Sequence, residues 1–119
     1  MLTIPTSVRI FLFTQPCDMR KGFDGLCALV RSYGEDVFSG HLFVFLSRRR
    51  DRAKILTWSS GGFVLYYKRL EKGRFRPGQF LEDEKTIQLE STQLAMLLEG
   101  IDYSRVRQPK RWNPPNHSK

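Results

Sequence analysis

The stretch SRRRDRAK, residues 47–54, places five basic residues and one acid within eight positions. Guanidinium groups fork onto phosphate oxygens and guanine edges, so the chemistry that such a run offers is recognition of a polyanion. Like charges this close repel one another, and the fold itself gains nothing from collecting them. The alternative interpretation is a solvated edge that resists aggregation.

A second basic run, KRLEKGRFR, occupies residues 68–76. Between the two runs lie apolar stretches typical of consecutive antiparallel strands. In such a meander the turn after the first strand and the segment after the third lie toward the same end of the sheet, so both runs are expected to form one patch. The predicted nucleic-acid contacts are Arg48, Arg49, Arg50, Arg52, Lys54, Lys68, Arg69, Lys72, Arg74 and Arg76, with Arg20 and Lys21 adding to the patch.

Aromatic residues are interleaved with these cations, as in a surface on which bases stack. They are Trp58, Tyr66, Tyr67 and Phe75. At strand spacing half of them must face the core, which weakens this interpretation.

Other chemistry finds little support. A two-metal nuclease needs several converging carboxylates, but Asp18 is expected to cap a helix and Asp51 to pair with the turn arginines. The two histidines offer little choice of a general base, and the sequence has no nucleophile elbow and no phosphate-binding glycine loop. These observations argue against an enzyme. The spacing of Cys17 and Cys27 matches no metal site. We therefore predict no catalysis, metal or cofactor; a cryptic nuclease that uses Asp18 or Asp51 is the alternative.

The elements that would position the cations follow from apolar periodicity. Strands are predicted at residues 8–13, 40–46, 53–58, 63–67 and 86–90. A first helix after Asp18 has the stripe Phe23, Leu26, Cys27 and Val30, and Ser91 is expected to cap a second helix with the stripe Leu94, Leu97, Leu98 and Ile101. Residues 68–80 are too basic and too rich in Gly and Pro for a core element.

These elements predict one α+β domain over residues 1–104. Its antiparallel sheet has four or five strands in a meander, with one packed helix and a short C-terminal helix. Residues 105–119 form a basic, proline-rich flexible tail. The formal net charge of +8 suggests a polyanionic partner. No apolar run approaches a membrane span and no secretion signal is evident, so a cytoplasmic protein is expected.

Five blocks of the sequence identify a family. They are DMRKGFDGL (18–26), FSGHLFVF (38–45), RDRAKILTW (50–58), YKRLEKGRF (67–75) and QLAMLLEGIDYSR (93–105). In this order they resemble the TnpB-type accessory protein of insertion sequences of family sixty-six, which is distinct from the RNA-guided nuclease of the same name. The family usually has an aromatic-proline pair after KGRF, whereas this chain has Arg76 and Pro77.

The resemblance implies a non-catalytic accessory protein of transposition that binds DNA, with duplex expected, or bridges to the transposase of the same element. The alternative is a protein-interaction module that recruits or regulates the transposase without binding DNA. Its contacts would be the acidic segment 81–84 and the tail around Trp112. A homo-oligomer is a further expectation.

Overall fold

The fold is an α+β arrangement in which a five-stranded sheet is packed between two helices. The computed structural model describes residues 7–77 and 84–100. Its strands are β1 (Ile10–Phe13), β2 (Leu42–Leu46), β3 (Arg52–Ser59), β4 (Gly62–Arg69) and β5 (Thr86–Leu89), and its helices are α1 (Phe23–Ser32) and α2 (Ser91–Leu98). The predicted tail, Trp112, Ile101 and residues 81–83 of the acidic segment lie outside the described residues.

The sheet has the order β4-β3-β2-β1-β5. The predicted meander is confirmed, since β2, β3 and β4 are consecutive antiparallel neighbours. β5 pairs antiparallel with β1 at the far edge. The pairing of β1 with β2 is parallel, which the antiparallel prediction had missed, because α1 carries the chain back across the sheet between them.

The face covered by α1 is rich in aromatic side chains. Leu26, Cys27 and Val30 of the helix pack onto Phe13, Phe43, Phe45 and Leu56 of the strands. The predicted stripe was wrong at its first member, because Phe23 is 45% exposed. The predicted cap was also wrong: Gly22 is the N-cap, and no side chain caps this helix.

The other face is covered by α2 and by the segment that follows β4. Leu94 and Leu97 are buried against Leu12, Val44 and Ile55. The helix begins with a capping box of Glu90 and Gln93, not with a Ser91 cap. The prediction that residues 68–80 avoid the core was wrong for Phe75 and Pro77, whose side chains are fully buried.

The turn between β3 and β4 matches the glycine-rich hairpin signal. Ser60 and Gly61 have φ values of 51° and 84°, so both turn residues are left-handed, as in a type I′ turn. Its twist matches that of the flanking strands, and Ser59 accordingly pairs with Gly62. In the described part of the chain, no helix is long and apolar enough to cross a membrane.

Candidate nucleic-acid interface

Strand direction brings several connections together at one end of the sheet. The parallel pair β1 and β2 ends there, and so does β4, which runs antiparallel to β3. β3 and β5 begin there. The connections at this end are the loop after β1, the tip of the β2–β3 hairpin (residues 47–51), the segment 70–77 after β4, and the start of β5. We call this region the cationic end.

Backbone hydrogen bonds join the second basic run to the hairpin tip. The Leu70 N–H donates to the Asp51 carbonyl at 2.8 Å, and the Phe75 N–H donates to the Arg50 carbonyl at 2.6 Å. The segment between these two residues is thereby held against the tip at both of its ends. The two basic runs, distant in sequence, therefore meet at one end of the molecule.

Two arginines also face each other across neighbouring strands. Arg52 of β3 is paired directly with Arg69 of β4, so their side chains emerge on the same face, which is the α1 face. Directly opposed like charges destabilise a sheet. Arg69 is partly neutralised by Glu71, whose carboxylate oxygen lies 3.0 Å from its guanidinium nitrogen.

The hairpin tip is shaped by its backbone. Arg50 is left-handed, with a φ of 62°, and its N–H donates to the Ser47 carbonyl at 2.9 Å. The Ser47 hydroxyl donates to the Asp51 carboxylate at 3.2 Å. Asp51 is thus a turn-stabilising residue, and the expected ion pair with the turn arginines is not formed within the described residues. Arg48, Arg49 and Arg50 are all exposed.

The loop after β1 lies beside this tip. The Cys17 N–H donates to the Leu46 carbonyl at 2.9 Å, which fixes the loop to the end of β2. An open cleft of about 440 Å³ separates loop and tip. Its lining residues are Cys17, Asp18, Met19, Arg20, Ser47, Arg48, Arg49, Asp51 and Arg52.

Asp18 pairs with Arg20 inside its own loop. The Arg20 guanidinium donates to both carboxylate oxygens, at 2.8 to 3.1 Å, and the Arg20 N–H donates to Oδ1 at 2.9 Å. Hydrogen bonds from the Arg20 side chain and N–H hold the pKa of Asp18 well below its ordinary value. The Arg20 side chain is 91% exposed, so its remaining donors face solvent.

Lys54 departs from the predicted set. It is only 7% exposed, and its ammonium donates to the carbonyls of Met19 at 2.7 Å and Lys21 at 2.8 Å. It also lies 4.7 Å from the centroid of the Tyr67 ring. Because its ammonium donates inside the protein, Lys54 anchors the loop that carries Arg20 and Lys21 and is not part of the exposed surface.

Lys68 is exposed but already has a partner. Its ammonium donates to the carbonyl of Leu98 at 2.7 Å, at the carboxyl end of α2, where a cation complements the helix dipole. It therefore lies on the α2 face, opposite to Arg69. Lys21, Lys72, Arg74 and Arg76 are exposed as well.

Sequence reasoning missed one cation at this end. Lys85 is exposed and comes directly before β5, and its carbonyl accepts from the N–H and hydroxyl of Thr14. No local signal marks it, because only the pairing of β5 with β1 brings it to the cationic end. Among cations of the described chain, Arg9 and Arg31 lie elsewhere, at the start of β1 and in the last turn of α1.

The interleaved aromatics separate into three groups. Phe75 is buried in the core, and Trp58 packs with Phe38 and Phe63 at the opposite end of the sheet. Tyr66 and Tyr67 are exposed on β4, by 44% and 53%. Of these four aromatic residues, the two tyrosines are the ones exposed near the cations.

The acidic residues do not assemble into a metal centre in the described part of the chain. No group of three or more His, Cys, Asp or Glu side chains is placed to hold a metal ion there. Asp18 and Asp51 both line the cleft, but each is engaged, with Arg20 and Ser47 respectively.

The fold and the cationic end define a small α+β protein that presents an array of exposed arginines and lysines at one end of its sheet. The family model described as IS66 Orf2 like protein matches residues 8–108, and the chain belongs to this family. The family resemblance predicted from the sequence is thus confirmed. Membership links the chain to transposition of an insertion sequence, and to the transposase of that element.

Two similar proteins come from Sinorhizobium fredii. The uncharacterized protein y4jC is 35% identical over 101 residues, which cover 84% of this chain and 85% of the relative. The uncharacterized protein y4hO is 36% identical over 117 residues, which cover 96% of each chain. No solved structure matches.

Proposed function

We propose that this chain is a non-catalytic accessory protein of transposition that binds DNA through its cationic end. The observation that carries the proposal is the junction of the two basic runs, made by the bond between Phe75 and Arg50. Family membership supplies the link to transposition. The proposed phosphate contacts are Arg20, Lys21, Arg48, Arg49, Arg50, Arg52, Lys68, Arg69, Lys72, Arg74 and Arg76.

The electrostatics of the site favour a polyanion. The Arg52–Arg69 pair opposes two positive charges across adjacent strands, and a bound phosphate would relieve that repulsion. Each phosphate that an arginine neutralises releases condensed counterions from DNA. Affinity should therefore weaken steeply with salt. Each lost contact should reduce the magnitude of the slope of log K against log salt by about 0.9 for duplex DNA.

The test is a fluorescence-anisotropy titration of a labelled duplex at several salt concentrations. The variant carries Arg48→Gln, Arg49→Gln and Arg52→Gln, and the matched control carries Arg9→Gln and Arg31→Gln, outside the cationic end. We expect the triple variant to lower the salt slope by two to three units, since about 0.9 is lost per contact. Absence of wild-type binding at low salt to both the duplex and its single strand, or equal effects of both variants, would contradict the proposal.

The absence of catalysis is part of the same proposal and has its own test. Incubation of the protein with DNA and Mg²⁺ or Mn²⁺ should leave the strands intact. Cleavage that is abolished by Asp18→Asn or Asp51→Asn would instead support the cryptic-nuclease alternative.

A contact with the transposase is the second candidate function. It is supported by the exposed aromatic cluster of Phe38, Trp58 and Phe63 at the end of the sheet opposite to the cationic end, which we call the aromatic end. There Phe38 is 54% exposed and its ring lies 5.0 Å from Trp58 and 5.6 Å from Phe63. Exposed aromatic clusters are typical of protein interfaces. Co-purification with the transposase that is lost on Phe38→Ser but retained in the triple arginine variant would assign this role to the aromatic end.

A further inference from the structure

Tyr67 occupies an unusual position within the cationic end. It is paired across the strands with Lys54, and Arg52 is paired with Arg69 two residues further along, so all four side chains share the α1 face. The loop with Arg20 and Lys21 lies on this face too, because Lys54 bonds to its carbonyls. Tyr67 is thus an exposed ring with cations around it.

The Tyr67 ring is in contact with a cation and is also accessible to solvent. The Lys54 ammonium lies over one face, 4.7 Å from the centroid. More than half of the residue is nevertheless exposed, at 53%, so much of the side chain remains accessible to solvent. The Arg69 guanidinium donates to the Glu71 carboxylate, and Tyr67, Arg69 and Glu71 line a shallow cleft.

An exposed ring among phosphate-binding cations is the arrangement by which proteins bind single-stranded nucleic acid. Inside a duplex each base is stacked on its neighbours, so the interior of a duplex would leave the ring unused. From this arrangement we infer that the DNA bound at the cationic end has unpaired bases, one of which stacks on Tyr67 while Arg52 and Arg69 bind the adjacent phosphates. The inference rests on the proposed function and specifies its ligand as single-stranded or partly single-stranded DNA.

Tyr66 provides a matched control next to it in sequence. Its exposure is similar, at 44%, but it pairs with Ile55 and therefore lies on the opposite face of the sheet, away from Arg52 and Arg69. Tyr67→Leu keeps an apolar cover over Lys54 without an aromatic face, and Tyr67→Phe keeps the stacking surface. Thermal unfolding would verify that each variant is folded.

The experiment compares three labelled polymers of equal length: a single strand, its blunt duplex, and an abasic strand that keeps only sugars and phosphates. We expect Tyr67→Leu to weaken binding of the single strand by about tenfold. Binding of the duplex and of the abasic strand should be unchanged. Tyr67→Phe and Tyr66→Leu should both resemble the wild-type protein.

A second measurement needs no variant. A single strand with 2-aminopurine in place of one base should lose fluorescence on binding, because stacking on an aromatic ring quenches it. Three results would overturn the stacking inference and leave the proposed function standing. Tyr67→Leu could lose the same affinity for all three polymers, Tyr66→Leu could weaken single-strand binding as much as Tyr67→Leu does, or 2-aminopurine could keep its fluorescence on binding. Failure of the wild-type protein to bind any of the polymers would overturn the proposed function as well.

Discussion

The backbone N–H of Phe75 donates to the carbonyl oxygen of Arg50, and the side chain of the same phenylalanine is buried in the core. One residue therefore serves two purposes: its ring packs with Leu94 and Leu97 of α2, and its N–H ties the second basic run to the hairpin tip. The buried Phe75 ring therefore holds the two basic runs together, although the side chains that the cationic end exposes to solvent are charged.

The first prediction concerns that anchor. Phe75→Ala should lower the free energy of unfolding by about 3–5 kcal/mol, because a fully buried aromatic ring is replaced by a cavity. Phe75→Leu should cost less, since much of the volume is retained. Urea denaturation checks both variants, and a loss below about 1 kcal/mol for Phe75→Ala would show that the ring does not anchor the segment.

The second prediction concerns the buried ammonium of Lys54. Lys54→Met keeps the apolar stem but leaves the carbonyls of Met19 and Lys21 without their donor, so unfolding should become easier by about 1–3 kcal/mol. Lys72→Met, at an exposed position, should change stability by no more than about 0.5 kcal/mol. Chemical denaturation compares the two.

The same pair of variants distinguishes anchoring from DNA contact. Because the Lys54 ammonium faces the protein interior, Lys54→Met should leave the salt slope of DNA binding unchanged, whereas Lys72→Met should reduce it. A reduced slope for a folded Lys54→Met protein would show that Lys54 contacts phosphate after all.

The third prediction concerns the ionisation of Asp18. Because Arg20 donates to its carboxylate, the pKa of Asp18 is lowered in the folded state. The pair therefore stabilises the fold fully above the ordinary pKa of an aspartate, and this contribution is lost as the pH falls below that value toward the folded pKa. In an NMR titration of the carboxyl carbon, Arg20→Gln should move the Asp18 midpoint upward toward the ordinary aspartate range, and the remaining hydrogen bond from the residue-20 N–H should keep it below that range. An unmoved midpoint would mean that the Arg20 side chain is not the cause.

The fourth prediction concerns the two thiols. Burial raises the pKa of Cys17 and of Cys27, because desolvation disfavours the thiolate. Since the thiolate is the reactive form, alkylation by iodoacetamide near pH 8 should be slow in the native protein and fast in urea. Mass spectrometry with Cys17→Ser and Cys27→Ser variants resolves the two sites. Rapid native labelling of Cys17 would show that the cleft exposes its sulfur.

Local patterns in the sequence were sufficient for most elements. The continuous apolar run of β2 predicted a central strand, and all five of its residues are buried. Gly61, before β4, predicted a tight hairpin because glycine accepts the left-handed backbone that such a turn needs. Gly34 ends α1 for the same reason, with a φ of 81°. These features depend on neighbours in the chain.

Features that depend on distant neighbours were not predictable from those patterns. Examples are the parallel pairing of β1 with β2 and the burial of Phe75 in a basic segment. A third is the hydrogen bonding of Lys54 to carbonyls 33 and 35 residues away in the sequence. Composition indicates that a lysine is usually solvated, and only the packing of a particular loop overrides that tendency.

The sequence by itself determined that arginines and lysines would cluster along the chain, that the strands beside them would form a meander, and which family these blocks resemble. The tertiary structure decided which of the cations lie close together at the surface and which are buried. It joined the two runs through Arg50 and Phe75, turned Lys54 inward, and left the Tyr67 ring exposed beside Arg52 and Arg69. The physical reason is that charge is a property of each residue, whereas its availability to a ligand depends on hydrogen bonds and burial formed between segments far apart in the chain.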